Sequence, residues 1–273
     1  MIAGMTTFQS TVYAFTYGLT QILPIGAKTH TDFVTYLTGW QPPGEEFIGA
    51  LQWTSFAVLF LHFRHDWASM ISSTLRVLLF RQRPMSMDER LPVFLGITAF
   101  PVICTFYYLN YQTITFPLIF LSISFSAMGA AIWTFDFLSK KNKSMCDWCW
   151  FDAAWLGISQ ATCVIPGGDP VSCALMGAFF LNYRRDAALK YAYLSTTPLL
   201  LIQGMHQNLS WSTITSSDLS LLSWITAISV AFFTGLLSLG GVFKQIQEKG
   251  VGKYSIYRFL LTLAICASYW IKS

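Results

Sequence analysis

Residues 7–38 read TFQSTVYAFTYGLTQILPIGAKTHTDFVTYLT, and residues 150–183 read WFDAAWLGISQATCVIPGGDPVSCALMGAFFLNY. Each stretch is apolar at both ends and interrupted in the middle. The first break is Pro24-Ile25-Gly26-Ala27-Lys28-Thr29-His30; the second is Pro166-Gly167-Gly168-Asp169-Pro170. Proline and glycine there stop a helix, which leaves two apolar halves of about 12–16 residues on either side. Broken backbone at membrane depth is tolerated only where protein or a wet cavity satisfies it. The economical reading is two re-entrant hairpins, each entering and leaving on one side of a bilayer.

The rest of the chain supports a bilayer. Of the 273 residues, 54% are hydrophobic and only 11% charged, against about 25% charged in a soluble domain. Thirty charges, 17 basic and 13 acidic, are too few to coat a soluble globule. A soluble enzyme, a disordered tail and a coiled coil are excluded. The 16% aromatic content fits interfacial belts. The basic residues form no nucleic-acid stripe, so no nucleic-acid partner is expected. Charge-free runs of 17, 45, 27 and 25 residues follow Glu46, Arg90, Lys190 and Asp218. A spanning helix needs about 20 apolar residues. Six spans are expected, near 46–63, 91–108, 113–137, 187–205, 219–239 and 252–271, with the 45-residue run broken near Asn110-Tyr111-Gln112. These runs lack the period-two alternation of barrel strands.

Charge placement orients the chain. With loop 64–90 inside the cell, fifteen of the 17 basic residues fall on the inside, among them Arg64, Arg76, Arg81, Arg83, Arg90, Lys140, Lys141, Lys143, Arg184, Arg185 and Lys190. Lys272 falls outside and Lys28 at a hairpin tip. Both termini are expected on the outer face of a multi-pass inner membrane protein. Residues 66–83 alternate arginines with Trp67, Met70, Ile71, Leu75 and Val77–Phe80, an amphipathic helix on the inner leaflet. The N-terminus lacks a basic n-region, so no cleavable signal peptide is expected.

The same threading yields a repeat. Residues 1–137 run hairpin, span, span, span, and residues 150–273 do so again in the opposite sense. The expected fold is therefore an all-α polytopic membrane protein, one domain over 1–273, built as an inverted repeat. In such folds broken helices meet near the midplane and form the site. Gly18-Leu19-Thr20-Gln21 before one tip echoes Gly157-Ile158-Ser159-Gln160 before the other.

Gly18-Leu19-Thr20-Gln21-Ile22-Leu23-Pro24 resembles the first signature of the bacitracin-resistance family, the undecaprenyl-diphosphate phosphatases. Pro166-Gly167, with Arg185, Ala187-Ala188 and Pro198 downstream, resembles the second. Leu51-Gln52 with Ser55, and Ile256-Tyr257-Arg258-Phe259, resemble flanking segments. The resemblance implies paired re-entrant helices and a polyprenyl diphosphate substrate. It also implies catalytic residues that this chain largely lacks. The first signature, E-G-L-T-E-F-L-P-x-S-S-T-G-H, has Tyr17 and Gln21 at its glutamates and Gly26 and Ala27 at its serines; His30 alone matches as a catalytic residue. The second, P-G-x-S-R-S-G, has Pro170 at its arginine and Asp169 and Val171 at its serines.

Phosphoryl transfer needs cationic or N–H stabilisation of the oxygens and a hydroxyl beside a base. Ala27 has no hydroxyl and Pro170 has neither charge nor N–H. Tyr17 and Gln21 cannot hold a divalent cation as carboxylates do. No metal or cofactor is expected. Lys28, Thr29, Gln21, Gln52, Gln160, Asp169, Ser172 and Arg258 are nominated as substrate-binding residues around one polar centre. Arg258 either snorkels to the inner interface or reaches the cavity. Lys28 and Asp169, one on each tip, are expected as an ion pair within about 4 Å or within reach of one bridging water. Cys146-x-x-Cys149 reads more simply as two reduced cysteines than as a metal or redox site.

Three functions stand open. The first is binding or translocation of a polyprenyl phosphate or diphosphate, or a similar anionic lipid, without hydrolysis. The second is an active diphosphatase with His30 as nucleophile or base. The third is a structural pseudoenzyme scaffolding envelope enzymes. The first is preferred. The expected partner is a membrane lipid, and a homodimer is compatible with the chain.

Overall fold

The computed structural model describes residues 5–81, 86–109, 117–207 and 219–272. Among these, the secondary structure is helical apart from a single isolated bridge, Lys143 to Tyr183. The expected break at Asn110–Gln112, Arg83, and the loop following Gln207 lie outside the described residues.

Helix α1 (Thr7–Ile22) opens on a capping box, Thr6 with Gln9, and ends where Pro24 interrupts the backbone hydrogen bonding. Gly26, at φ 76°, turns the chain into α2 (Ala27–Thr38). A positive φ of this kind favours glycine, which has no Cβ to clash. Helix α3 (Glu45–His62) bends by 77° into α4 (Arg64–Phe80). Helices α5 (Met87–Leu109) and α6 (Leu118–Leu138) follow. The second broken pair is α7 (Trp150–Ala161) and α8 (Pro170–Phe180). Between them lie a short 3₁₀ turn, Thr162–Val164, and Gly167 at φ 79°. Asp169 caps α8 by accepting from the Ser172 amide at 2.8 Å, with Pro170 at the first helical position. Helices α9 (Arg185–His206), α10 (Leu221–Lys249) and α11 (Gly252–Lys272) complete the chain.

Among the described residues four helices, α5, α6, α10 and α11, are long and apolar enough to cross a membrane; the bent α3–α4 pair makes five if it is one span. The expected span 187–205 forms as α9, but its N-terminal turns carry Arg185, Asp186 and Lys190, and most of its residues are buried inside the protein. The expected amphipathic helix forms as α4. Met70 and Ser73 face inward while Ile71, Leu75, Leu78, Leu79 and Phe80 stay exposed. Exposed apolar residues also line α10 and α11, for example Leu237, Phe259 and Trp270, as expected of lipid-facing helices.

The packing is reciprocal. Helix α1 lies along α10 and α7 along α5; α3 pairs with α9, and α6 with α11. Two buried carboxylates tie the basic loops to the bundle. Asp136 at the end of α6 accepts from Arg185 Nε and Nη2 at 2.9 and 3.0 Å, from the Val251 amide at 3.2 Å, and pairs with Lys141 at 3.4 Å. Asp152 in α7 accepts from the Tyr183 hydroxyl at 2.5 Å and pairs with Lys143 at 3.3 Å. Trp148 stacks between Tyr183 and Tyr191, each ring 4.0 Å away.

Candidate functional site

The two chain breaks lie against each other. A Cβ placed on Gly26 would stand 3.6 Å from the Gly167 carbonyl and 3.5 Å from the ring of Phe125, which α6 inserts between them. Interrupted helices leave carbonyls without partners, and a buried orphan of this kind is costly. Arg258 of α11 supplies the donors. Its fully buried guanidinium donates from Nε and Nη2 to the Pro24 carbonyl at 3.3 and 3.1 Å. Nη1 donates to the Gly167 and Phe125 carbonyls at 3.3 and 3.4 Å. Nη2 also reaches Ser172 Oγ at 2.7 Å and Asp169 Oδ2 at 2.5 Å. The cation sits over the Phe125 ring, 4.7 Å from its centre. Gly129 makes the path: a Cβ there would be 2.8 Å from Arg258 Cδ. Of the two courses open to Arg258 from sequence, it takes the inward one.

The expected Lys28–Asp169 ion pair does not form. Asp169 is taken by Arg258, a stronger partner because it is buried and brings several donors. Lys28 pairs with Asp32 one turn along α2, at 3.9 Å, with side chains 47% and 38% exposed. Such an exposed pair holds little, on the order of 0–1 kcal/mol.

His30 is closed on both nitrogens. Nδ1 lies 2.7 Å from the Gly26 carbonyl and therefore donates to it. In the neutral ring Nε2 then accepts from the Tyr257 hydroxyl at 2.8 Å, and the two rings are parallel. Gln160 is buried, with Nε2 donating to the Pro170 carbonyl at 3.3 Å and to Thr196 Oγ1 at 3.1 Å. Thr29 is buried within α2.

Beside this knot lies a cavity of about 240 Å³. Of the nominated residues Gln21, Lys28, Gln52 and Asp169 line it, as do Tyr17, Ala27 and Pro170. His30, Thr29, Gln160, Ser172 and Arg258 do not. Sequence reasoning missed Asp32, Glu45, Gln203 and Phe106, which are also on the lining, and Tyr257, which closes His30. The Lys28-to-Asp32 spacing of one helical turn was a readable signal; the positions of Gln203 and Phe106 depend on helix packing. Cys146 and Cys149 are free and exposed, away from this centre, and no metal-holding cluster of His, Cys, Asp or Glu occurs among the described residues.

The cavity is thus lined at the positions of both signature motifs. The family model for bacitracin resistance protein BacA matches residues 10–264. The chain belongs to this family of multi-pass membrane proteins. It is similar to the undecaprenyl-diphosphatase of Prosthecochloris aestuarii, 24% identical with 96% of this chain and 97% of the relative covered. The undecaprenyl-diphosphatase of Chlorobaculum parvum is also 24% identical, with 96% of each chain covered, and that of Chlorobium limicola is 26% identical, with 94% of each covered.

Proposed function

We propose that this protein binds the headgroup of a polyprenyl-phosphate lipid between its two chain breaks, and holds or translocates it without hydrolysis. The observation that carries this reading is the lining of the cavity. Where the signature has carboxylates, a serine and an arginine, the wall has Tyr17, Gln21, Ala27 and Pro170. The one matching residue, His30, is turned away and spends both nitrogens on Gly26 and Tyr257. At the signature's serine and glutamate positions the wall offers no alcohol beside a carboxylate base, and transfer without that pair loses orders of magnitude in rate.

The architecture proposed for this task is an inverted repeat of 1–137 and 150–273, each half a re-entrant pair followed by three spans, with the basic loops on the cytoplasmic side. Reciprocal packing supports it. If α1 corresponds to α7, α3 to α9, α5 to α10 and α6 to α11, then α1–α10 and α7–α5 are the same contact made twice. The pairs α3–α9 and α6–α11 are then self-matched, as a two-fold relation requires. Transporters of this architecture rock one repeat against the other around a central site. An open cavity, with no Lys28–Asp169 bridge across it, also favours binding over an inert plug.

Filling the cavity tests the reading. Ala27→Trp places an indole into the site from the α2 side. Purified protein in lipid nanodiscs is expected to bind undecaprenyl phosphate, and the variant to lose that binding by more than about tenfold while still eluting as a folded species. Equal binding by both would place the lipid elsewhere.

A further inference from the structure

The cavity wall is unusually rich in groups that both donate and accept hydrogen bonds. Tyr17 brings a hydroxyl, and Gln21, Gln52 and Gln203 bring carboxamides. Asp32 and Glu45 add acceptors only. Gln52 is buried and only partly satisfied. It is 6% exposed, its side chain hydrogen-bonds Tyr17 and reaches Gln203 Oε1 at 3.5 Å, and its own Oε1 has no partner.

Matching this wall to headgroup chemistry is a question of donors and acceptors. An ionised diphosphate offers acceptors alone. Against it the amide oxygens and the Asp32, Glu45 and Asp169 carboxylates would be left facing more negative charge, with Lys28, half-exposed and already beside Asp32, as the cation among the described lining residues. The ammonium of an ethanolamine headgroup brings no acceptor of its own, so amide N–H groups beside it would go unmatched, and its phosphodiester would face the carboxylates. Sugar hydroxyls donate and accept, as the carboxamides do. Pro42, Ile48 and Phe106 supply the apolar surface on which a ring face can rest. At about 240 Å³ the cavity is smaller than the ~300–1,000 Å³ of drug-sized sites, so it suits a headgroup rather than a whole lipid.

We infer that the cavity selects a glycosylated headgroup, a sugar carried on a polyprenyl monophosphate, with the sugar hydroxyls on Gln52 and its neighbours and the single phosphate near Lys28. This rests on the lipid-binding reading above and names its substrate class. A site built to hydrogen-bond hydroxyls discriminates against ligands that lack them, because its buried polar groups then go unpaired.

The test is a competition by native mass spectrometry on the full chain. The probes are undecaprenyl phosphoryl-glucose, undecaprenyl phosphate, undecaprenyl diphosphate, phosphatidylethanolamine and free glucose. The glucolipid is expected to bind about tenfold more tightly than undecaprenyl phosphate, the equivalent of a hydrogen bond or two. Gln52→Leu, which keeps the volume, is expected to bring that ratio close to one. Tyr17→Phe, a milder change, should lower it in the same direction. Tighter binding of either unglycosylated polyprenyl lipid or of phosphatidylethanolamine would overturn the inference while leaving a lipid site in place. So would a preference that survives both substitutions. Free glucose competing as well as the glucolipid would overturn the lipid-linked source. Failure of every polyprenyl lipid to bind would remove the underlying reading as well.

Discussion

Replacing Arg258 with methionine is expected to be the most damaging single change in the protein. The side chain is fully buried and is the donor that Pro24, Gly167, Asp169 and Ser172 share. Methionine keeps the volume of the stem but leaves a carboxylate and several carbonyls unpaired. Removing one partner of a buried ion pair costs about 3–5 kcal/mol. The variant should therefore melt well below the parent in detergent, or fail to accumulate. Combining Arg258→Met with Asp169→Asn removes the orphaned charge and should recover part of the loss, which a purely steric defect would not allow. An unchanged melting temperature in the single variant would mean that the two breaks are held by something other than Arg258.

The second large effect is expected at Asp136. This carboxylate is 3% exposed and gathers the start of α9, Lys141 and the turn between α10 and α11. Asp136→Ala removes the Arg185 and Val251 attachments and the Lys141 ion pair, leaving Lys141 its bond to the residue 136 carbonyl. The cost is expected on the order of 2–4 kcal/mol, below that at Arg258, because Arg185 and Lys141 are about a quarter exposed and recover some hydration. Asp136→Asn keeps an acceptor for the Val251 amide and should lie between the alanine variant and the parent. Thermal unfolding of the three proteins in one detergent orders them; an alanine variant as stable as the parent would contradict the anchoring role.

Much of the fold is legible in the chain because its signals are local. Pro24 and Gly26, and Pro166 through Pro170, break helices wherever they stand, and the breaks occur where they predict. The charge-free runs mark α5, α6 and α10 for the same reason. The capping role of Asp169 was equally local, since Asp-Pro-x-Ser places a cap, a proline and a bonded amide in order, but the charge of Asp169 drew attention instead to a partner on the opposite tip. Pairing by repeat symmetry then proposed Lys28. The actual partner, Arg258, lies 89 residues away. Its inward course depends on how α11 rotates against α6 and on the room left by Gly129, which no local pattern reports. Tyr257 closing His30 follows from the same rotation. A polar centre between two breaks was legible, and Gln21, Gln52, Lys28 and Asp169 do line one cavity, whereas the division between wall and supporting knot was not legible.

The central claim is a headgroup bound but not cleaved. Undecaprenyl diphosphate carrying a labelled terminal phosphate should be incubated with the purified protein in nanodiscs, with magnesium or calcium and with chelator, and the label followed. The predicted result is bound lipid recovered intact, with phosphate release at the level of empty nanodiscs under every condition. Release that requires the protein and disappears in His30→Ala would contradict the account and restore hydrolysis to this site.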